Sequence, residues 1–110
     1  MIHLTITHVP SLHERNADLR QAMVDEMRAQ LRGPLERKIW HLEIVMFGHW
    51  YKANGEPTSN NTDGWLKPMF DCLSEAGGLG PYGRGDQWLD RNFCVRVEQA
   101  DQSRIEITLT

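Results

Sequence analysis

Residues 2–9 alternate in character, with Ile2, Leu4 and Ile6 on one parity and His3, Thr5 and Thr7 on the other. A period of two predicts a half-buried strand. Val9-Pro10-Ser11 ends it, because proline has no N–H to offer a ladder. From Asn16 to Arg32 the period changes to that of a helix: Leu19, Met23, Met27 and Leu31, with Ala22, form an apolar stripe. Asn16 or Ser11 is a suitable cap, and Gly33-Pro34 is a stop signal. Ile39 to Phe47 returns to period two, with Trp40, Leu42, Ile44 and Met46 against His41, Glu43, Val45 and Phe47. Most of this run is apolar, which predicts a strand in the middle of the sheet.

Near the C-terminus, Phe93, Val95 and Val97 alternate with Cys94, Arg96 and Glu98. After a polar turn over Gln99 to Ser103, Ile105, Ile107 and Leu109 alternate with Glu106 and Thr108. Two such runs joined by a short turn predict a terminal hairpin. The order strand, helix, strand, loop, helix, loop, strand, strand predicts an α+β fold, a single domain over 1–110 with helices on one face of a small mixed sheet.

The second helix is predicted after Asn60-Asn61-Thr62-Asp63-Gly64. Met69, Phe70 and Leu73 supply its core face, and Asp63, Lys67 and Asp71 recur every four residues. That spacing stacks acid, base and acid on one face. Such a stripe either holds a divalent metal and a phosphate together or is ordinary surface charge, and spacing alone favours the second. Pro68 predicts a distorted or late-starting first turn, with Gly64 as cap.

Length bounds the chain to one core, since 110 residues is the size of one domain. No apolar run approaches the ~18 residues of a membrane span. The segment Met1–Ile6 lacks a basic region followed by an apolar block, so no signal peptide is expected. Cys72 and Cys94 have no metal-motif spacing and are expected as free, buried thiols in a reducing cytoplasm. His3, His8, His13, His41 and His49 are scattered without a zinc motif.

A net charge of −3 argues mildly against nucleic acid as partner, although carboxylates gathered at a metal site also lower the net charge. Arg15, Arg20, Arg28 and Arg32 line one side of the first helix but are diluted by Asp18, Asp25 and Glu26, so a solvated face is the simpler reading. Trp50, Tyr51 and Lys52 either stack on a base and touch phosphate or pack over the sheet edge, the commoner case. The glycine-rich run Gly77 to Gly85 lacks the Gly-Lys-Ser/Thr ending of a phosphate-binding loop; it reads as a mobile connection with Arg84 as a candidate phosphate contact.

Several of these pieces together resemble the RusA-type Holliday junction resolvases, small homodimeric crossover junction endodeoxyribonucleases often encoded by prophages. The family's hallmark runs Asp-x-Asp-Asn, a lysine, an apolar–Asp–x–Leu pattern, a variable loop and an Asp-Asp pair before the last strands. Here those positions read Asn61-Thr62-Asp63-Gly64, Lys67, Phe70-Asp71-Cys72-Leu73 and Gly85-Asp86, and the closing strand reads Arg104-Ile105-Glu106-Ile107-Thr108. Counting back from Arg104 without a gap brings Asp86 onto the family's last catalytic aspartate. The likeness covers about residues 36–110 by motif.

The resemblance implies a Mg²⁺- or Mn²⁺-dependent endonuclease that resolves four-way junctions by paired nicks in DNA recombination and repair. It implies Asp63 and Asp86 as metal ligands, Asn61 at a third ligand position, and Lys67 as the catalytic lysine. Lys67, Arg84 and Lys52 are the expected DNA contacts. Three departures matter: Asn61 stands where the family has an aspartate, Gly64 where it has an asparagine, and Gly85 where it has the first aspartate of the late pair. A carboxamide oxygen brings no charge and cannot act as a base. The alternative implied is therefore a cleavage-deficient homologue that binds branched DNA.

Overall fold

The computed structural model describes residues 1–7, 17–48, 62–80 and 92–110. The elements are β1 (Ile2–Ile6), α1 (Ala17–Leu31), β2 (His41–Gly48), α2 (Thr62–Glu75), β3 (Asn92–Gln99) and β4 (Arg104–Leu109). The strands form one mixed sheet in the order β1-β4-β2-β3. β4 runs antiparallel to both of its neighbours, and β3 runs parallel to β2.

Register explains the core. Leu4, Ile107, Ile44 and Val95 form one row across the sheet; Ile6, Ile105, Met46 and Val97 form the next. Ile2, Leu109, Leu42 and Phe93 form a third. All three rows lie on one face. Against them pack Met23, Val24 and Met27 from α1, and Met69, Phe70, Cys72 and Leu73 from α2. Both helices therefore cover the same face, as the sequence predicts. Val24 was not part of the predicted stripe, yet it is fully buried, which makes the apolar face of α1 wider than a strict four-residue spacing suggests. Full burial of an aliphatic or aromatic side chain contributes roughly 1.5–3 kcal/mol, so these rows dominate stability.

The terminal hairpin is corrected. β3 and β4 follow one another in sequence, but β2 lies between them. Crossing two strand spacings needs about 9.5 Å, and a link of residues 100–103 reaches about 13 Å. Ala100 steps over the end of β2, its N–H donating to Gly48 O at 3.1 Å. Burial follows the placement: Ile105, Ile107 and Leu109 are buried, whereas Phe93, Val95 and Val97 are only partly so. Alternation looks the same in a hairpin and in this crossover, so the pattern could not separate them.

Two smaller corrections concern β2 and α2. Trp40 shares the parity of Leu42 but is 65% exposed. Its N–H donates to Thr110 O (3.3 Å) and the His41 carbonyl accepts from Thr110 N (3.0 Å), so the backbone pairing with β4 reaches Trp40 while its ring stays outside the core. Ile39, not Trp40, enters the core, and Trp40 lies under the Lys38 ammonium, 4.1 Å from its ring centroid. α2 begins at Thr62 rather than after Gly64, which places Pro68 seventh in the helix. An interior proline costs about 3 kcal/mol; the burial of Met69, Phe70 and Leu73 just beyond it is large enough to offset that.

The ends of the helices are tied to the sheet. At the end of α2, Gly78 N–H donates to Leu73 O and Gly77 N–H to Ser74 O, with Gly77 at φ +86°. This is the Schellman arrangement, and it requires a left-handed residue at that point. Leu35 N–H then donates to Gly77 O at 3.0 Å, fixing the end of α2 to the chain just before β2. Along the outer edge of β1, the Gln30 side chain of α1 accepts from Thr5 N (2.8 Å) and donates to Thr5 O (2.7 Å). Glu26 accepts from the Thr7 N–H and hydroxyl. These side chains occupy backbone groups that would otherwise template a further strand.

Candidate functional site

The C-terminal end of α2 is held beside the segment that leads into β2, through Leu35 N–H and Gly77 O. Asp63 is second and Lys67 sixth in α2, one helical turn apart. The first N–H groups of a helix have no intrahelical partners and form its positive end, a natural place for a phosphate. The side chains of Asp63 and Lys67 lie outside the described residues. So do Asn61, Asp86, Arg84 and Lys52 as whole residues, together with the glycine-rich run beyond Gly80.

Asp71 continues the spacing but cannot share an ion with Asp63. Eight residues of helix separate them by about 12 Å, too far for two short carboxylates on one cation. Next to it, Cys72 is buried, as expected. Burial pushes its thiol above the ordinary value, and the Arg20 guanidinium of α1, which hydrogen-bonds to it, only partly offsets this. Such a thiol is a core group, not a nucleophile.

Cys94 is different. It is exposed, which corrects the expectation of two buried thiols. It lies on the sheet face opposite the helices, and no described element covers that face. His41 and Glu43 are two residues apart on β2 and so share this face; Cys94 on β3 is in register with Glu43. The His41 Nε2 atom is 3.7 Å from Cys94 Sγ and 3.8 Å from Glu43 Oε1. All three donor atoms lie within 4.8 Å of one another. An open groove of about 280 Å³ runs beside them, lined by Glu43, Ile44, Val45, Cys94 and Arg96.

The rest of this face is mostly polar, with Val45 and Phe47 among it, and carries more acidic than basic side chains. His3 contacts Thr108 Oγ1 (3.1 Å) and Glu106 (3.5 Å). Arg96 pairs with Glu98 at 3.0 Å, and the Arg104 guanidinium lies 3.7 Å from the centre of the Phe47 ring. Arg96 and Arg104 stand against Glu43, Glu98 and Glu106, so the described strands offer no cationic surface for a nucleic acid.

The His41, Glu43 and Cys94 cluster was invisible to spacing rules. Its members are 2 and 51 positions apart, and only strand register joins them. The available signal was weak: His41, Glu43 and Cys94 all occupy the polar parity of their strands.

A scan against protein-family models finds no match for this chain, and a search of curated proteins finds none either.

Proposed function

We propose that this chain is a metal-dependent endonuclease of branched, four-way DNA, acting as a homodimer in recombination or repair. The observation that carries the reading is the ordered set Asn61, Asp63, Lys67 and Asp86, with Asp63 and Lys67 one turn apart at the beginning of α2. The α+β fold, with α2 linking two adjacent parallel strands, is compatible with it.

The donor set fits the ion. Two carboxylates and a carboxamide are hard oxygen ligands, which suit Mg²⁺ and leave positions for water and phosphate oxygens. Asn61, Asp63 and Asp86 would hold it. When bound, the ion supplies polarisation of the scissile phosphate and a more acidic water. Lys67 would balance negative charge building on the phosphate or the leaving oxygen. Lys52 and Arg84 would contact the DNA backbone, fixing position but not sequence. A two-fold dimer would present two such sites to the two strands of a junction.

Asn61 favours a second reading on the same scaffold, a protein that binds branched DNA and has lost cleavage, because its carboxamide gives the ion no charge. Nicking of a labelled synthetic four-way junction with Mg²⁺ or Mn²⁺ separates the two. The unmodified chain is expected to nick, Asn61→Asp to nick faster, and Asp63→Asn to be inactive. Binding without nicking in all three supports the second reading. No nicking by either the unmodified chain or Asn61→Asp, with no junction binding at moderate salt, defeats both.

A further inference from the structure

We infer that the open face of the sheet carries a zinc-type transition-metal site, built from His41 Nε2, a Glu43 carboxylate oxygen and Cys94 Sγ, with a fourth position open to solvent. The inference does not rest on the nuclease reading; it uses different residues, on the opposite face from the helices.

Geometry is the first argument. Tetrahedral Zn²⁺ with bonds of about 2.0–2.3 Å holds nitrogen, oxygen and sulfur ligand atoms roughly 3.3–3.6 Å apart. The separations from His41 Nε2 are 3.7 Å to sulfur and 3.8 Å to oxygen. The imidazole nitrogen is thus already the shared corner of a ligand triangle. The remaining edge, from Glu43 to Cys94, is no longer than 4.8 Å. Glu43 is 64% exposed, so a rotamer change of about 1 Å closes that edge.

The scaffold is the second argument. β2 is an interior strand paired on both sides, and Glu43 and Cys94 are register partners across a parallel ladder. Backbone in this position holds its Cβ atoms rigidly, the condition a metal site needs.

Ligand chemistry fixes the class of ion. Thiolate and imidazole select Zn²⁺ and its borderline-soft relatives, whereas Mg²⁺ prefers oxygen alone. Cys94 binds as thiolate, its proton passing to solvent. No electron is transferred, because Zn²⁺ is redox-inert. With three protein ligands the fourth position takes water or an incoming donor, the pattern of open zinc sites, and the adjoining groove leaves room for one.

The test is titration of the purified full chain with Co²⁺ as a spectroscopic probe, followed by displacement with Zn²⁺. One equivalent of Co²⁺ is expected to give tetrahedral d–d bands and a thiolate-to-cobalt charge-transfer band, both removed by one equivalent of Zn²⁺. Cys94→Ser is expected to abolish the charge-transfer band, and His41→Gln and Glu43→Gln each to weaken Zn²⁺ binding at least tenfold. Cys72→Ala, a core position far from the cluster in sequence and on the other face, is expected to leave all signals in place. All three ligand changes are on the face that no described element covers, so circular dichroism should show the fold retained. Persistence of the charge-transfer band in Cys94→Ser, or the absence of stoichiometric binding at micromolar protein, overturns the site. Unchanged affinity in both His41→Gln and Glu43→Gln overturns the ligand set.

Discussion

The two faces of the sheet are written by one alternation and yet behave as different materials. On the helix side, rows such as Leu4, Ile107, Ile44 and Val95 run unbroken from edge to edge and are sealed by α1 and α2. On the other side the interleaved row His3, Thr108, Glu43 and Cys94 meets solvent. Stability is concentrated on the first face and chemistry is available on the second. A residue that is ordinary in one context changes meaning in the other: Cys72 is a packing group, whereas Cys94 is a ligand candidate.

The sharpest way to break this comparison is to truncate one residue on each face of the same strand. Ile107→Ala removes the centre of a buried row in an interior strand and should cost about 3–4 kcal/mol. Thr108→Ala, its neighbour on the open face, should cost less than about 0.5 kcal/mol beyond its contact with His3. Urea denaturation of the two variants measures both. Comparable losses would mean that the open face is as tightly packed as the covered one.

Closure of the covered face depends on how α2 ends, which gives the next largest effect. A Cβ at Gly77 would sit 2.6 Å from Pro34 Cα, and the residue adopts φ +86°. Gly77→Ala is therefore expected to cost about 1–3 kcal/mol through strain and displacement of Pro34. Thermal melting detects it.

A third, smaller effect concerns the edge of the sheet. Gln30→Ala removes both hydrogen bonds to Thr5 and should cost about 1–2 kcal/mol. It also exposes an unpaired strand edge, so light scattering at high concentration should rise relative to the unmodified chain. An unchanged melting point and unchanged scattering would show that the Gln30 strap has no protective role.

The smallest effect is confined to alkaline pH and concerns the buried thiol. Burial holds the folded Cys72 thiol above its ordinary value of 9.0. The unfolded chain then ionises first. The contribution of Cys72 to stability is present below pH 9.0 and is lost as pH rises above that value. Urea midpoints should therefore fall more steeply with rising pH in the unmodified chain than in Cys72→Ala. Equal slopes would remove Cys72 as the cause.

Much of this architecture is legible along the chain. Periodicity locates all four strands and both helices, because burial on one face imposes a period of two or 3.6 on local sequence. The limits of α1 agree to a residue, since Gly33-Pro34 gives a local stop. Local rules fail where a distant partner decides. Parity places Trp40 in the core, but its ring lies outside under the Lys38 ammonium and Ile39 is buried instead. Pro68 argues for a late start to α2, but the burial beyond it outweighs the missing hydrogen bond. Of the motif residues, Asp63 and Lys67 fall in the first two turns of α2, Asp63 inside the helix and not before its cap, while Asn61, Asp86, Arg84 and Lys52 lie outside the described residues.

The amino-acid sequence by itself determined the order of strands and helices and most of their apolar faces, and so the α+β class, because hydrophobic patterning is a property of neighbours along the chain. Only the tertiary structure decided that β2 separates β3 from β4, and that Cys94 faces His41 and Glu43. Strand order and register are set by packing between segments remote in sequence, and the same alternation satisfies more than one pairing. The metal-type cluster is a product of that register.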